Sequence, residues 1–305
     1  MDTLMKKEVL FVKFPILFPI IYFAILYTFP NFETQLVFIT ILLLAETHFG
    51  ATWPFFLSKV NFPHINKNKV AFIVIPILVT VFCITGFFVA KNTFLLIFFA
   101  ANVFHVTRQS FGITNLYTKD ENQKKHFVNV IYFFNFIFFV IAFFRFYIPI
   151  ISNNMLFELN LIMILLLILV FAFYIIRFKF SENLLTMITG VLIFYPVCFV
   201  NNPVHAIIMG VTMHYSQYLI LTYKITKNRN LVHKDSKSNL NFIIIIISYG
   251  IIMSLLSSSA LINEIFKNLL LIPLIGQMLH FYIDSNLWKF SDKHHRNVTL
   301  KHLLS

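Results

Sequence analysis

Charge is scarce in this chain. Only 12% of its 305 residues are charged, while 59% are hydrophobic and the mean hydropathy is +0.81. That balance excludes a soluble globular domain of this length. Cysteine is nearly absent. Cys83 and Cys198 fall inside apolar runs without CxxC spacing, which argues against a disulfide framework or a cysteine zinc site. There is no Gly/Ser linker, no internal repeat and no room for a separate soluble domain. HExxH, HxxxH and HxxHH boxes, GxSxG, the P-loop and CxxCH are all missing. Acidic residues are few, 12 against 24 Lys and Arg, giving a net charge of +12. In so apolar a chain that excess belongs to loops on one side of a membrane, and nucleic acid is not an expected partner. No small-residue cleavage site follows the first apolar run, which is therefore read as retained.

What is present is a series of apolar runs, each about long enough to cross a hydrocarbon core of roughly 30 Å. The expected fold is all-α, a polytopic helical bundle forming one transmembrane domain over residues 1–305. About ten spans are predicted, over 9–29, 34–57, 70–89, 93–112, 127–151, 155–176, 184–200, 203–223, 240–262 and 267–288. Pro54 is expected to kink or end the second. With the N-terminus inside, the inner segments hold nearly all the Lys and Arg. The outer loops hold only Lys91 and Lys267, and Lys13 and Arg145 lie within spans. That asymmetry predicts both termini cytoplasmic. The expected location is an integral, multi-pass position in a bacterial inner (plasma) membrane.

The membrane-embedded histidines all fall on even-numbered spans: His48, His105, His205, His214 and His280. Measured from the inner span ends, His48 is 9 residues in, His105 7, His214 9 and His280 8. At about 1.5 Å per residue these four lie within roughly 3 Å of one plane, about 10–14 Å from the inner helix ends. A second polar layer lies one turn further on, on the same helix faces: Thr52 after His48, Arg108 and Gln109 after His105, Gln217 and Tyr218 after His214, and Asp284 after His280. Glu46 and Asp284 are the carboxylates deep within spans, an expensive placement that marks a functional-site candidate. Glu46 stands about 160° around its helix from His48.

Imidazoles and a carboxylate suit iron, zinc, copper or nickel, and facing helices of a bundle are a known frame for metal sites. His48, His105, His214 and His280 are the expected metal ligands, converging on one site. Glu46, Arg108, Gln109, Gln217, Tyr218 and Asp284 are the candidate catalytic or orienting residues, since a ligating histidine needs a partner to fix its tautomer. A lone membrane histidine is more often an interhelical hydrogen-bonding group; four in one layer shift the balance. Arg108 fits a lipid phosphate or substrate carboxylate, or equally a snorkelling surface cation. His205, near the outer end of its helix, and the tail pair His294 and His295 are read as structural or solvated. Tyr218 and Trp288 also fit interfacial anchors, and Gly50, Gly112, Gly210 and Gly276 close helix packing.

In overall kind the chain resembles the Brp/Blh-type β-carotene dioxygenases. The resemblance rests on hydropathy and on His48, His105, His214 and His280 standing on separate helices, not on a diagnostic motif. It implies a polytopic, iron-dependent membrane oxygenase that cleaves a carotenoid. The expected function is a metal-dependent, non-haem iron oxygenase or hydroxylase acting on a lipophilic substrate such as a carotenoid or lipid. Iron is the expected cofactor and zinc a second fit. Membrane lipid, the substrate and a redox partner are the expected associates. Two alternatives stay open: a haem-binding electron-transfer protein with axial histidine pairs, and a proton-coupled transporter with a His/Asp relay. Phe49, Phe104, Phe111 and Phe281 are candidates to line a lateral substrate path.

Overall fold

The computed structural model describes residues 8–233, 237–262 and 264–304. Lys6, Lys7 and Lys234, which contribute to the charge asymmetry, lie outside the described residues. The protein is 89% helical, with no strand among the described residues. Its helices are α1 (Leu17–Thr28), α2 (Glu33–Thr40), α3 (Glu46–Phe56), α4 (Phe62–Lys67), α5 (Ile75–Val89), α6 (Lys91–Tyr117) and α7 (Glu121–Ala142). They continue with α8 (Asn153–Phe178), α9 (Glu182–Leu192), α10 (Pro203–His233), α11 (Lys237–Ile262), α12 (Leu271–Leu287) and a short α13 (Lys293–His295).

Among the described residues seven helical stretches are long and apolar enough to cross a membrane: Pro30–Phe56, Val70–Val89, Lys91–Tyr117, Glu121–Tyr147, Asn154–Phe178, Asn239–Ser258 and Phe266–Leu287. Large apolar side chains such as Ile162, Leu165, Ile168 and Leu169 on α8 are exposed, as lipid-facing residues are. The chain is a multi-pass membrane protein.

Three of the apolar runs in the sequence take other forms. In 9–29 the regular helix starts only at Leu17, after a separate π-helical turn at Val9–Lys13 and Pro15. In 184–200 helix α9 stops at Leu192, and Pro196, lacking an N–H, sits in a 3₁₀ turn, Tyr195–Cys198. The buried carbonyls released there have a donor: Arg145 bonds Val197 O and, at 2.9 Å, Val200 O. This explains an arginine inside a predicted span. Helix α10 is 31 residues long, but its histidines, Gln217 and basic end leave no window apolar enough to count.

Two compact units make up the chain: Met1–Val37 with Val103–Gln217, and Phe38–Asn102 with Tyr218–Ser305. In the first unit the N-terminal π turn is tied down through its carbonyls, which helix geometry leaves without an internal donor. Gln217 donates to Val12 O at 2.6 Å, Thr189 to Lys13 O at 2.8 Å and Ser216 to Phe11 O at 3.2 Å. Lys13 pairs with Glu182. Helices α7 and α9 meet where Asn135 donates to Gly190 O at 3.1 Å. In the second unit α12 packs on α5 and the start of α6 through Cys83, Phe87, Phe94, Leu271 and Leu274. Both cysteines are free and buried.

Candidate functional site

The second unit frames its site with α3, α11 and α12. A π-helical turn, Ile41–Ala45, feeds directly into Glu46. Pro54 is accommodated inside α3, which runs on to Phe56. Helix α11 comes close because glycine lies at the crossings. A Cβ at Gly50 would stand 3.0 Å from the Tyr249 ring, and one at Gly250 would stand 2.9 Å from Leu42 O. A Cβ at Gly276 of α12 would meet the Tyr249 hydroxyl. Helices α3 and α12 run parallel: Gln277 donates to Glu46 Oε1 at 2.9 Å, and further along both helices Thr52 meets His280. The 160° offset puts Glu46 in this separate contact with Gln277. Glu46 Oε2 is buried, with no hydrogen-bond partner among the described residues.

His48 and His280 are both fully buried, their rings 4.5 Å apart and nearly perpendicular. Below them runs a chain of hydrogen bonds. Thr52 Oγ1 lies 2.6 Å from His280 Nδ1 and 2.9 Å from the Tyr218 hydroxyl; Tyr218 donates to Asp284 Oδ1, to which Trp288 Nε1 also donates at 2.8 Å. The direction of that chain follows from proton counting. An ionised carboxylate only accepts, and a hydroxyl has one proton to give. Tyr218 gives its proton to Asp284 and so accepts from Thr52; Thr52 then accepts from His280 Nδ1–H. An ionised Asp284 thus orders the chain so that His280 donates from Nδ1. No protein-family model, curated protein or solved structure matches the chain. Phe49, itself buried, packs on the His280 ring at 5.0 Å and on Phe281 at 6.1 Å.

The first unit holds the other two histidines expected to bind metal. His105 and His214 are buried, with ring centroids 5.6 Å apart. Their polar neighbours have different roles. Gln217 bonds the Val12 carbonyl through its amide nitrogen, while its Oε1 is buried without a partner among the described residues. Gln109 is half-buried and Arg108 exposed. His205 sits in a polar contact of its own, its Nδ1 2.7 Å from the Tyr22 hydroxyl and its Nε2 3.0 Å from Glu33 Oε1. That arrangement fits the structural reading of His205. Phe104 is exposed and Phe111 half-buried.

Three contributors were not singled out for these roles in the sequence. Trp288 is a hydrogen-bond donor to Asp284, four residues before it; the i,i+4 spacing was visible, but the indole also suited an interfacial anchor. Gln277 and Tyr249 carry no local signal, because their partners lie on α3. Gly112 is another difference, since a Cβ there would meet nothing within 4 Å.

Proposed function

We propose that this protein is a membrane-embedded, metal-dependent oxidoreductase: a non-haem iron oxygenase or hydroxylase acting on a lipophilic substrate such as a carotenoid or lipid. The His48–His280 and His105–His214 pairs supply its metal ligands. The observation that supports the reading is the buried chain His280–Thr52–Tyr218–Asp284, which ties a fully buried imidazole to a carboxylate through two hydroxyls. A donor set of neutral imidazoles suits iron, and zinc as well. Iron, when bound, supplies the one-electron chemistry by which O₂ reacts with an unactivated hydrocarbon. The protein's part is to hold His280 in one tautomer, to give Asp284 two hydrogen-bond donors, and to surround the pair with Phe49 and Phe281. A redox partner supplies electrons where one oxygen atom leaves as water. Arg108, exposed on α6, meets the lipid phosphate or the polar end of a substrate.

The same reading sets the chain in a bacterial inner membrane with ten spans and both termini cytoplasmic, by the Lys and Arg distribution. Reporter fusions after Lys125 and Lys237 then read cytoplasmic, and one at Asn201-Asn202 external. A cytoplasmic reading at Asn201-Asn202 refutes the ten-span count.

The functional test is iron content together with the optical spectrum of detergent-purified wild type, His280→Ala and His105→Ala. Bound iron without a Soret band, lost in both variants, supports the proposal. Wild-type iron in both variants, or none in wild type after expression with ample iron, sinks it. Haem ligation by a histidine pair is the first alternative. A Soret band would favour that alternative. The proton-coupled transporter draws support from the same hydroxyl chain, which links His280 to a carboxylate, and is the reading to take up if no metal is found.

A further inference from the structure

The second unit carries another cluster of ligand-type side chains, outside the membrane-spanning helices. His64 stands on α4; Asp292, His294 and His295 belong to the tail that follows α12. One nitrogen or carboxylate oxygen from each of His64, Asp292 and His295 lies within 4.8 Å of the others. The cluster is organised without an ion. Asp292 caps α13 with Oδ1, which accepts from His294 N at 2.7 Å, while its Oδ2 stands 3.9 Å from His64 Nε2. The Asn68 amide is 3.4 Å from the same nitrogen. His294 stacks flat on His64, centroids 4.3 Å apart and planes 6° from parallel. Its Nε2 lies 2.9 Å from Asn61 Oδ1, and Asn61 is anchored in turn to Phe55 O at 2.8 Å. His295 is only 3% exposed, and its Nδ1 has no hydrogen-bond partner among the described residues. A buried imidazole nitrogen without a partner is costly to leave so.

We propose that His64, Asp292 and His295 form a binding site for a zinc-like divalent transition-metal ion, which clamps the C-terminal tail to α4. Two imidazoles and a carboxylate are a known zinc donor set with a fourth position left for water. Zinc bonds of about 2.0–2.1 Å place tetrahedral ligand atoms roughly 3.3 Å apart. The three ligands therefore close by about 1–1.5 Å on binding, a movement within side-chain rotation. On Arg229 the Nε donates to Val298 O at 2.8 Å and the guanidinium plane lies over Phe55, while Nη2 is buried without a hydrogen-bond partner among the described residues; Arg296 donates to Phe290 O and Ser291 O. Sequence reading passed the site over because His64 is more than two hundred residues from its partners and the His294-His295 pair looks like a solvated basic tail.

The clamp does not depend on the membrane-embedded centre, and separate variants report on each. Full-length protein in detergent is stripped with chelator and titrated with Zn²⁺ by calorimetry. Wild type and His280→Ala are expected to share a zinc site that His64→Ala and His295→Ala weaken at least 100-fold, with Asp292→Asn weakening it less. A second measurement uses wild type alone: zinc should slow tryptic cleavage at Lys293 and Arg296, and X-ray absorption of the bound zinc should show nitrogen/oxygen neighbours near 2.0 Å with imidazole scattering. Zinc binding by His64→Ala and His295→Ala equal to wild type overturns the proposal. Tail cleavage indifferent to zinc overturns it too, as does the absence of any saturable zinc site in wild type.

Discussion

The two units each bury a pair of histidines, and the helices that carry them follow the same pattern of a histidine with a polar side chain one turn on. Their surroundings differ. In the second unit the turn below His280 and His48 is a continuous chain of donors and acceptors ending on Asp284. In the first, the amide one turn below His214 is committed to a backbone carbonyl of the N-terminal π turn. A polar residue one turn from a ligand-type histidine thus serves whichever buried group nearby lacks a partner. That is a side-chain hydroxyl in one unit and an orphaned carbonyl in the other. The same spacing yields a tautomer-fixing chain in one place and a structural tie in the other.

The contrast can be tested most severely at His280. His280→Ala removes the imidazole on which the chain converges, and metal content and turnover should both fall to background in protein that still elutes as a folded species. Metal retention at the wild-type level would show that the chain orients nothing of consequence. The next effect in size is at the other end of the chain. Tyr218→Phe keeps the ring beside His48 but deletes the hydroxyl, so Thr52 is free to reverse and His280 to take either tautomer. Metal affinity should drop about 10–100-fold, with activity partly recovered by added metal. Asp284→Asn, which keeps the shape and loses the charge, should behave alike; failure of added metal to restore activity would instead make Asp284 a direct ligand. The smallest functional effect belongs to the first unit. Gln217→Ala should leave tightness of metal binding nearly unchanged while costing about 1–3 kcal/mol of stability, because Val12 O loses its buried donor. A loss of metal in Gln217→Ala as severe as in Tyr218→Phe would erase the difference between the units.

Much of this was legible in the sequence. Apolar runs of membrane length gave an all-helical, multi-pass chain, and each of the seven long apolar helices overlaps an expected span, though Lys91–Tyr117 and Glu121–Tyr147 run well beyond one predicted end. Hydropathy counts apolar side chains but not helix continuity. It therefore could not show that Pro15 and Pro196 interrupt two runs, or that Arg145 serves carbonyls released beside Pro196. Within the site, Thr52, Tyr218 and Asp284 were readable because helix periodicity aligns them with histidines. Their mutual contacts were not, since Tyr218 lies four residues after His214 on its own helix yet bonds to side chains of α3 and α12. The glycine reading holds at Gly50 and Gly276 against Tyr249. It fails at Gly112, which has open space where a Cβ would go, because composition alone cannot say which helix face a neighbour occupies.

The π-helical turn before Glu46 has a consequence for how this helix tolerates change in length. Buried positions on an α-helix recur every three or four residues, yet here the step from buried Thr40 to buried Ala45 is five. One residue is in effect looped into the spiral, and the wider turn absorbs it, so that Thr40 and the Glu46–His48–Thr52 face stay in phase. Removing a single residue between Thr40 and Ala45 would restore the ordinary step of four and keep that phase. The same deletion in the regular helix after Glu46 would turn the two halves by about 100° relative to each other and carry part of the site face out of register. Hydropathy would score the two deletions alike.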